Sequence, residues 1–240
     1  SWSDEWLVED LATDLRANGS DFTRLELDDR IEDINSLVQA IKANRTVRDV
    51  EIHIEALEGL SRMEKHNLAD AICSLPELRS LLVYKNSFFF LGPLHQHQPW
   101  LLENLRLCKL DISDQQRVDL LVSTLKGLSN LKSLDIGFDC SDSGRVLCAL
   151  SQMQSIYVSL ECFRIDYKVQ NNDILDDRIV IEIAEAIERS TTLKTLSLPP
   201  FSCNEKCYDA LIHMLENNCV LTRIDYWVRI CNLYYPDANE

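Results

Sequence analysis

Three groupings in the 240-residue sequence hold residue types able to bind a metal or move a proton. His53 lies among Asp49, Glu51 and Glu55, where an imidazole beside carboxylates could act as a general base. His95 and His97 stand two apart, and on a strand that spacing would turn both rings to one face. Cys203 and Cys207 could sit one helical turn apart. Each falls short of a working site. No Ser or Cys nucleophile can be placed beside His53 from the sequence, so it reads as a surface histidine in an acidic patch. His95 and His97, next to Pro93 and Pro99, have no nearby Cys, Asp or Glu to complete a metal shell and read as solvated loop residues. The cysteine pair has no second pair, and core or surface thiols are the reading. There is no HExxH or GxSxG, and six scattered glycines build no phosphate loop. The expectation is a protein that is not an enzyme and takes no metal or cofactor.

What must position any working surface is a repeat. A phrase of the form L-x-x-L-x-L, with other apolar residues standing in for Leu, recurs eight times. It reads Phe22/Leu25/Leu27, Val47/Val50/Ile52, Leu78/Leu81/Val83 and Leu102/Leu105/Leu107. It continues as Leu131/Leu134/Ile136, Leu160/Phe163/Ile165, Leu193/Leu196/Leu198 and Leu221/Ile224/Tyr226. The starts are 25, 31, 24, 29, 29, 33 and 28 residues apart. Within each phrase apolar and polar residues alternate, the period of a half-buried strand. Between phrases the period becomes helical, as in Ile34/Leu37/Val38/Ile41, Leu68/Ala71/Ile72/Leu75 and Val118/Leu121/Val122/Leu125/Leu128. Ile183/Ala184/Ile187 and Leu211/Leu215 continue it. Parallel strands spaced about 4.8 Å, backed by helices that need about 10 Å, must curve with the strands inside. The expected fold is an α/β solenoid of about eight strand–helix repeats, a horseshoe with a parallel inner sheet and outer helices.

The handover from helix to strand carries a resemblance. Asn44-Arg45-Thr46-Val47-Arg48-Asp49-Val50-Glu51-Ile52, Ser190-Thr191-Thr192-Leu193-Lys194-Thr195-Leu196-Ser197-Leu198 and Asn218-Cys219-Val220-Leu221-Thr222-Arg223-Ile224-Asp225-Tyr226 follow one scheme. It resembles the leucine-rich repeat proteins of the ribonuclease-inhibitor type, over about residues 22–227. That family usually places Asn or Cys three residues after the last strand Leu; here only Asn86 conforms. The resemblance implies protein recognition. It leaves two alternatives open: a GTPase-activating protein of the Ran type, whose catalytic surface nothing here matches, and a ligand-sensing or adaptor segment of a larger protein.

In such a solenoid the residues between the buried aliphatics project from the strand face. A partner-binding surface is therefore expected from Glu26, Asp28, Asp49, Glu51, His53, Tyr84, Arg106, Asp135, Arg164, Asp166, Asp225 and Trp227. Acid gathers in the first strands, while Tyr84 and Trp227 are aromatic anchors of the kind interfaces use. With 24 Lys+Arg against 39 Asp+Glu the net charge is −15, which favours a basic protein partner and speaks against nucleic acid.

The remaining expectations concern ends and compartment. Residues 1–21, with Trp2, Trp6, Leu7, Leu11 and Leu15 at helical spacing and Asn18-Gly19 as a stop, read as a capping helix. Residues 22–228 form the repeat domain and 229–240 a tail or cap; an uncovered last strand would permit self-association through that edge. Phe88 to Trp100, with Pro93 and Pro99, reads as an irregular loop in place of the helix between the third and fourth strands. Its three phenylalanines read as a patch covered by neighbouring repeats. Nothing in the sequence reads as a membrane span or export signal. Nine cysteines without CxxC pairs suit reduced thiols and a cytoplasmic setting, against which stand the sequons at Asn18 and Asn44.

Overall fold

Each of the eight phrases lies in or leads into a strand of one parallel sheet, ordered β1 to β8 without a crossover. The strands are β1 (Arg24–Leu27), β2 (Asp49–Ile52), β3 (Ser80–Val83), β4 (Asn104–Leu110), β5 (Ser133–Phe138), β6 (Cys162–Tyr167), β7 (Thr195–Phe201) and β8 (Arg223–Val228). The computed structural model describes residues 8–17, 22–85, 87–110, 114–138, 159–167, 177–201 and 204–228. Within these, the helices are α1 (Val8–Ala17), α2 (Ile34–Ala43), α3 (Arg62–Cys73), α4 (Phe88–His97), α5 (Gln115–Gly127), α6 (Asp177–Glu188) and α7 (Glu205–Asn217). The chain is an α/β solenoid, strands inside and helices outside.

The register is that of a repeat. Leu25, Val50, Leu81, Leu105, Leu134, Phe163 and Leu196 pair in sequence across the sheet, and all are buried. Just before the strands, the carbonyls of Thr23, Arg48, Arg79, Glu103, Lys132, Glu161 and Lys194 each accept two N–H groups from the next repeat at 2.7–3.1 Å. Those rigid joints carry the pairing past the strand ends. Charges follow the same rim: Lys132 Nζ lies 2.9 Å from Glu103, and Lys194 Nζ 2.7 Å from Glu161.

Helix starts are set by local chemistry. Asp33, Asp114 and Asn204 accept an N–H of the first turn of α2, α5 and α7 at 2.9–3.0 Å, and Ser61 with Glu64 forms a capping box on α3. The ends are closed by Asn44 and Asn218. Asn44 Oδ1 accepts from the N–H groups of Thr46 and Val47 at 2.9 Å while its amide donates to Leu15 O at 2.8 Å. Asn218 repeats this with Val220, Leu221, Ile187 O and Ser190 O. Ser190 does half of it, accepting from Thr192 and Leu193. With no exposed surface and its amide engaged, Asn44 is a turn clasp and not a glycan acceptor in the folded chain.

Four expectations need correcting or bounding. First, residues 88–97 form α4 and not an irregular loop. Phe90, Leu91 and Leu94 share one face and are buried to 1% exposure or less. Burying the three contributes about 1.5–3 kcal/mol each, against about 3 kcal/mol for Pro93 in a helix interior and up to about 1 for Gly92. The helix ends where Gln98 turns left-handed (φ 42°) before Pro99. The phenylalanine triplet divides accordingly: Phe90 is core, Phe88 and Phe89 half-buried.

Second, α7 buries Cys207 and Met214, whereas Leu215 is 50% exposed and Leu211 half-buried. Third, His97 is no solvated loop residue: it closes α4, half-buried, with Nε2 2.8 Å from Asp70 Oδ1. Fourth, Trp2, Trp6, Leu7, Asn18, Gly19, Asn86, Cys203 and residues 229–240 lie outside the described residues. In α1, Ala12 and Leu15 are fully buried.

Candidate functional site

The polar row of the strand face is built by register. Arg24, Asp49, Ser80, Asn104, Ser133, Cys162, Thr195 and Arg223 form one row, and Glu26, Glu51, Leu82, Arg106, Asp135, Arg164, Ser197 and Asp225 the next. Alternation leaves all of them at least partly exposed, while the apolar residues between them are buried on β1 to β7 and Ile224 on β8 is half-buried. His53 and Tyr84 directly follow β2 and β3, whose N–H groups still extend the ladder to Leu27 O and Ile52 O.

Across five strands these residues lock together. The His53 ring stacks on Tyr84 with centroids 4.8 Å apart and planes 23° from parallel. The Arg106 guanidinium covers the same Tyr84 ring at 5.3 Å, and its Nε lies 3.1 Å from Asp135 Oδ2. The Tyr84 hydroxyl donates to Glu51 Oε1 at 2.9 Å. Arg24 bridges the other oxygens, 2.7 Å from Glu51 Oε2 and 3.3 Å from Glu26 Oε2. Burial, with the hydrogen bond to Glu51 next, pushes the Tyr84 phenol above its ordinary value, so it stays a neutral donor.

His53 Nε2 is shielded from solvent and makes no hydrogen bond, yet lies 3.4 Å from Glu51 Oε1 and 3.6 Å from Glu26 Oε1. These three ligand atoms lie within 4.8 Å of one another, a grouping that could in principle hold a cation. The carboxylates are already bound elsewhere, by Arg24 and, for Glu51, also by Tyr84. The cluster is therefore an ion-pair network in which Arg24 and Arg106 offset most of the charge of Glu26, Glu51 and Asp135, with an aromatic at its centre.

Of the expected site residues, Glu26, Glu51, His53, Tyr84, Arg106 and Asp135 come together in this network. Asp28 and Asp49 are exposed, and no described ion pair neutralises them. Arg164 is exposed on β6, in register beside Asp135 at the edge of the cluster, and Asp225 pairs with Arg223 at 2.9 Å on β8, away from it. The side chains of Asp166 and Trp227 lie outside the described residues. Arg24, which ties the two glutamates, was visible only as one more polar residue of the row; its opposite charge beside Glu26 was the available signal.

No protein-family model and no curated protein matches the sequence. Among solved structures, the chain is similar to one titled leiomodin-1 actin-binding site 2, at 10% identity and a TM-score of 0.39, covering 78% of this chain and 91% of that one. It is also similar to a tropomodulin C-terminal domain from Caenorhabditis elegans, at 13% identity and a TM-score of 0.37, covering 88% and 92%.

Proposed function

We propose that the strand face binds a protein partner and that the chain is a non-catalytic recognition module acting in the cytoplasm. One observation carries this reading: Tyr84, directly after β3, is fixed at the centre of the strand-face network by a stack, a cation and a hydrogen bond at once. Interfaces draw most of their affinity from a few such anchors, and an anchor already ordered loses little entropy on binding. The unneutralised Asp28 and Asp49 give the amino-terminal rim a negative edge suited to a basic segment of that partner. The cytoplasmic setting is supported by the five described cysteines, all thiols outside any disulfide, of which Cys73 and Cys207 are core residues.

The test is affinity capture from the native source, comparing the natural chain with Tyr84→Ala/Arg106→Ala and with Glu26→Lys/Asp49→Lys/Glu51→Lys. The reading expects one or more proteins held by the natural chain, released by about 0.3 M salt and absent from both variants. A retained set that is the same for all three chains contradicts it.

A further inference from the structure

The outer face of the same repeats holds a second surface that the strand-face reading does not use. Between α3, α4 and α5 runs an open groove of about 530 Å³. Met63 on α3, Phe88 and Phe89 on α4 and Leu120 on α5 line it, with Gly92 also on the α4 side. Met63 is 70% exposed, and the other three large apolar residues are only half-buried. A groove this open leaves a small ligand largely wet, whereas binding pockets bury about 70–90% of theirs. It has the form of a bed between helices.

Its rim has the opposite sign to the molecule. In a chain of net charge −15, Arg62 and His66 line the groove, and the Lys65 ammonium sits 5.8 Å above the Phe89 ring. Arg117 lies 4.4 Å over Phe88 while pairing with Asp114 at 3.2 Å. Arg62 and Lys65 form no ion pair among the described residues, so their charge faces outward, with the His66 ring beside them. Apolar walls under a basic rim are complementary to a helix that is apolar on one face and acidic on its flanks. We propose that this groove docks an acidic amphipathic helix of a protein partner, with apolar side chains at i, i+3 or i+4, and i+7 against Met63, Phe88, Phe89 and Leu120. Its carboxylates meet Arg62, Lys65 and His66.

Gly92 makes the proposal testable without touching the core. A Cβ placed there meets nothing within 4 Å, so a side chain introduced at this position starts from open space on the groove wall. A displayed library of random helical peptides is selected on the natural chain and re-tested against Gly92→Trp, Lys65→Glu and Tyr84→Ala. The expected peptides carry net negative charge and the stated apolar spacing. They lose at least about tenfold in affinity on Gly92→Trp and on Lys65→Glu, and bind Tyr84→Ala as before. That last arm separates the groove from the strand face.

Should Gly92→Trp lower the thermal midpoint, Met63→Glu serves as the second block. Selected peptides that are neutral or basic, or that bind all variants equally, overturn the proposal. So does dimerisation of the natural chain that Gly92→Trp abolishes, which assigns the groove to a second copy. Dodecanoate binding that outcompetes the peptides assigns it to a small anionic amphiphile.

Discussion

The strand face of the first to fifth repeats and the helix face of the second to fourth meet solvent in opposite ways. On the strand face, Glu26, Glu51, Arg24, His53, Tyr84, Arg106 and Asp135 are engaged with one another across five strands. On the helix face, Met63, Phe88 and Phe89 are left partly exposed beneath cations that have no carboxylate partner or share one. The difference follows from spacing. Strands about 4.8 Å apart bring side chains of successive repeats into contact, whereas helices about 10 Å apart leave gaps that only another molecule or a long side chain can fill. The inner surface is thus prearranged by its ion pairs, suited to specificity. The outer one offers apolar area.

The two faces share one support, and removing it gives the largest expected effect. Phe90 is 1% exposed and fastens α4 to the sheet, so Phe90→Ala costs about 3–5 kcal/mol in urea unfolding. Half-buried Phe89, one residue away, costs about 1 kcal/mol when changed to Ala. Equal losses at the two positions would dissolve the distinction between core and groove.

Arg106→Ala probes the strand face. It strips the cation from Tyr84 and leaves Asp135, whose side chain is 15% exposed, without its guanidinium, at a cost of about 1–3 kcal/mol. A neutral result would mean the network is only a set of surface neighbours.

On the helix face the acid limb of stability is the probe. The hydrogen bond with His97 holds the Asp70 carboxyl below its ordinary 3.8, against burial and with help from Lys42. A depressed carboxyl contributes stability that is complete above that value and lost as pH falls through and below it. Between roughly pH 5 and pH 2 the natural chain should lose more stability than Asp70→Asn does; parallel curves would remove the coupling. Smallest of all, Gly92→Ala should stabilise α4 by about 0.5–1 kcal/mol, since the added methyl touches nothing. Destabilisation would mean the groove is already filled.

How much of this the sequence disclosed depends on the range of the interaction. The strands were legible because alternation is local: the apolar positions of the second to seventh phrases are buried in the sheet, and Phe22, Leu221 and Ile224 at its two ends are half-buried. The polar row was legible for the same reason. The network was not, because the His53–Tyr84 stack and the Arg106 cap depend on curvature and rotamers across repeats.

Helix α4 was hidden by Pro93 and Gly92, whose local cost is outweighed by burial that no short window reveals. The Asn44 and Asn218 clasps were legible in principle. Both stand three residues before the first apolar position of their phrase, but Asn44 also begins a sequon, and the family's asparagine belongs elsewhere in the repeat. Leu215 shows the converse error: helical spacing gives a face, yet burial depends on what packs against it, and Leu215 is 50% exposed.

Hydroxyl-radical footprinting of the captured complex reads both faces in one experiment, since His53 and Tyr84 report the strand face and Met63, Phe88 and Phe89 the outer groove. The account predicts that His53 and Tyr84 lose reactivity when the partner is bound and regain it at high salt. Unchanged oxidation at those two residues, with protection elsewhere on the chain, would contradict it.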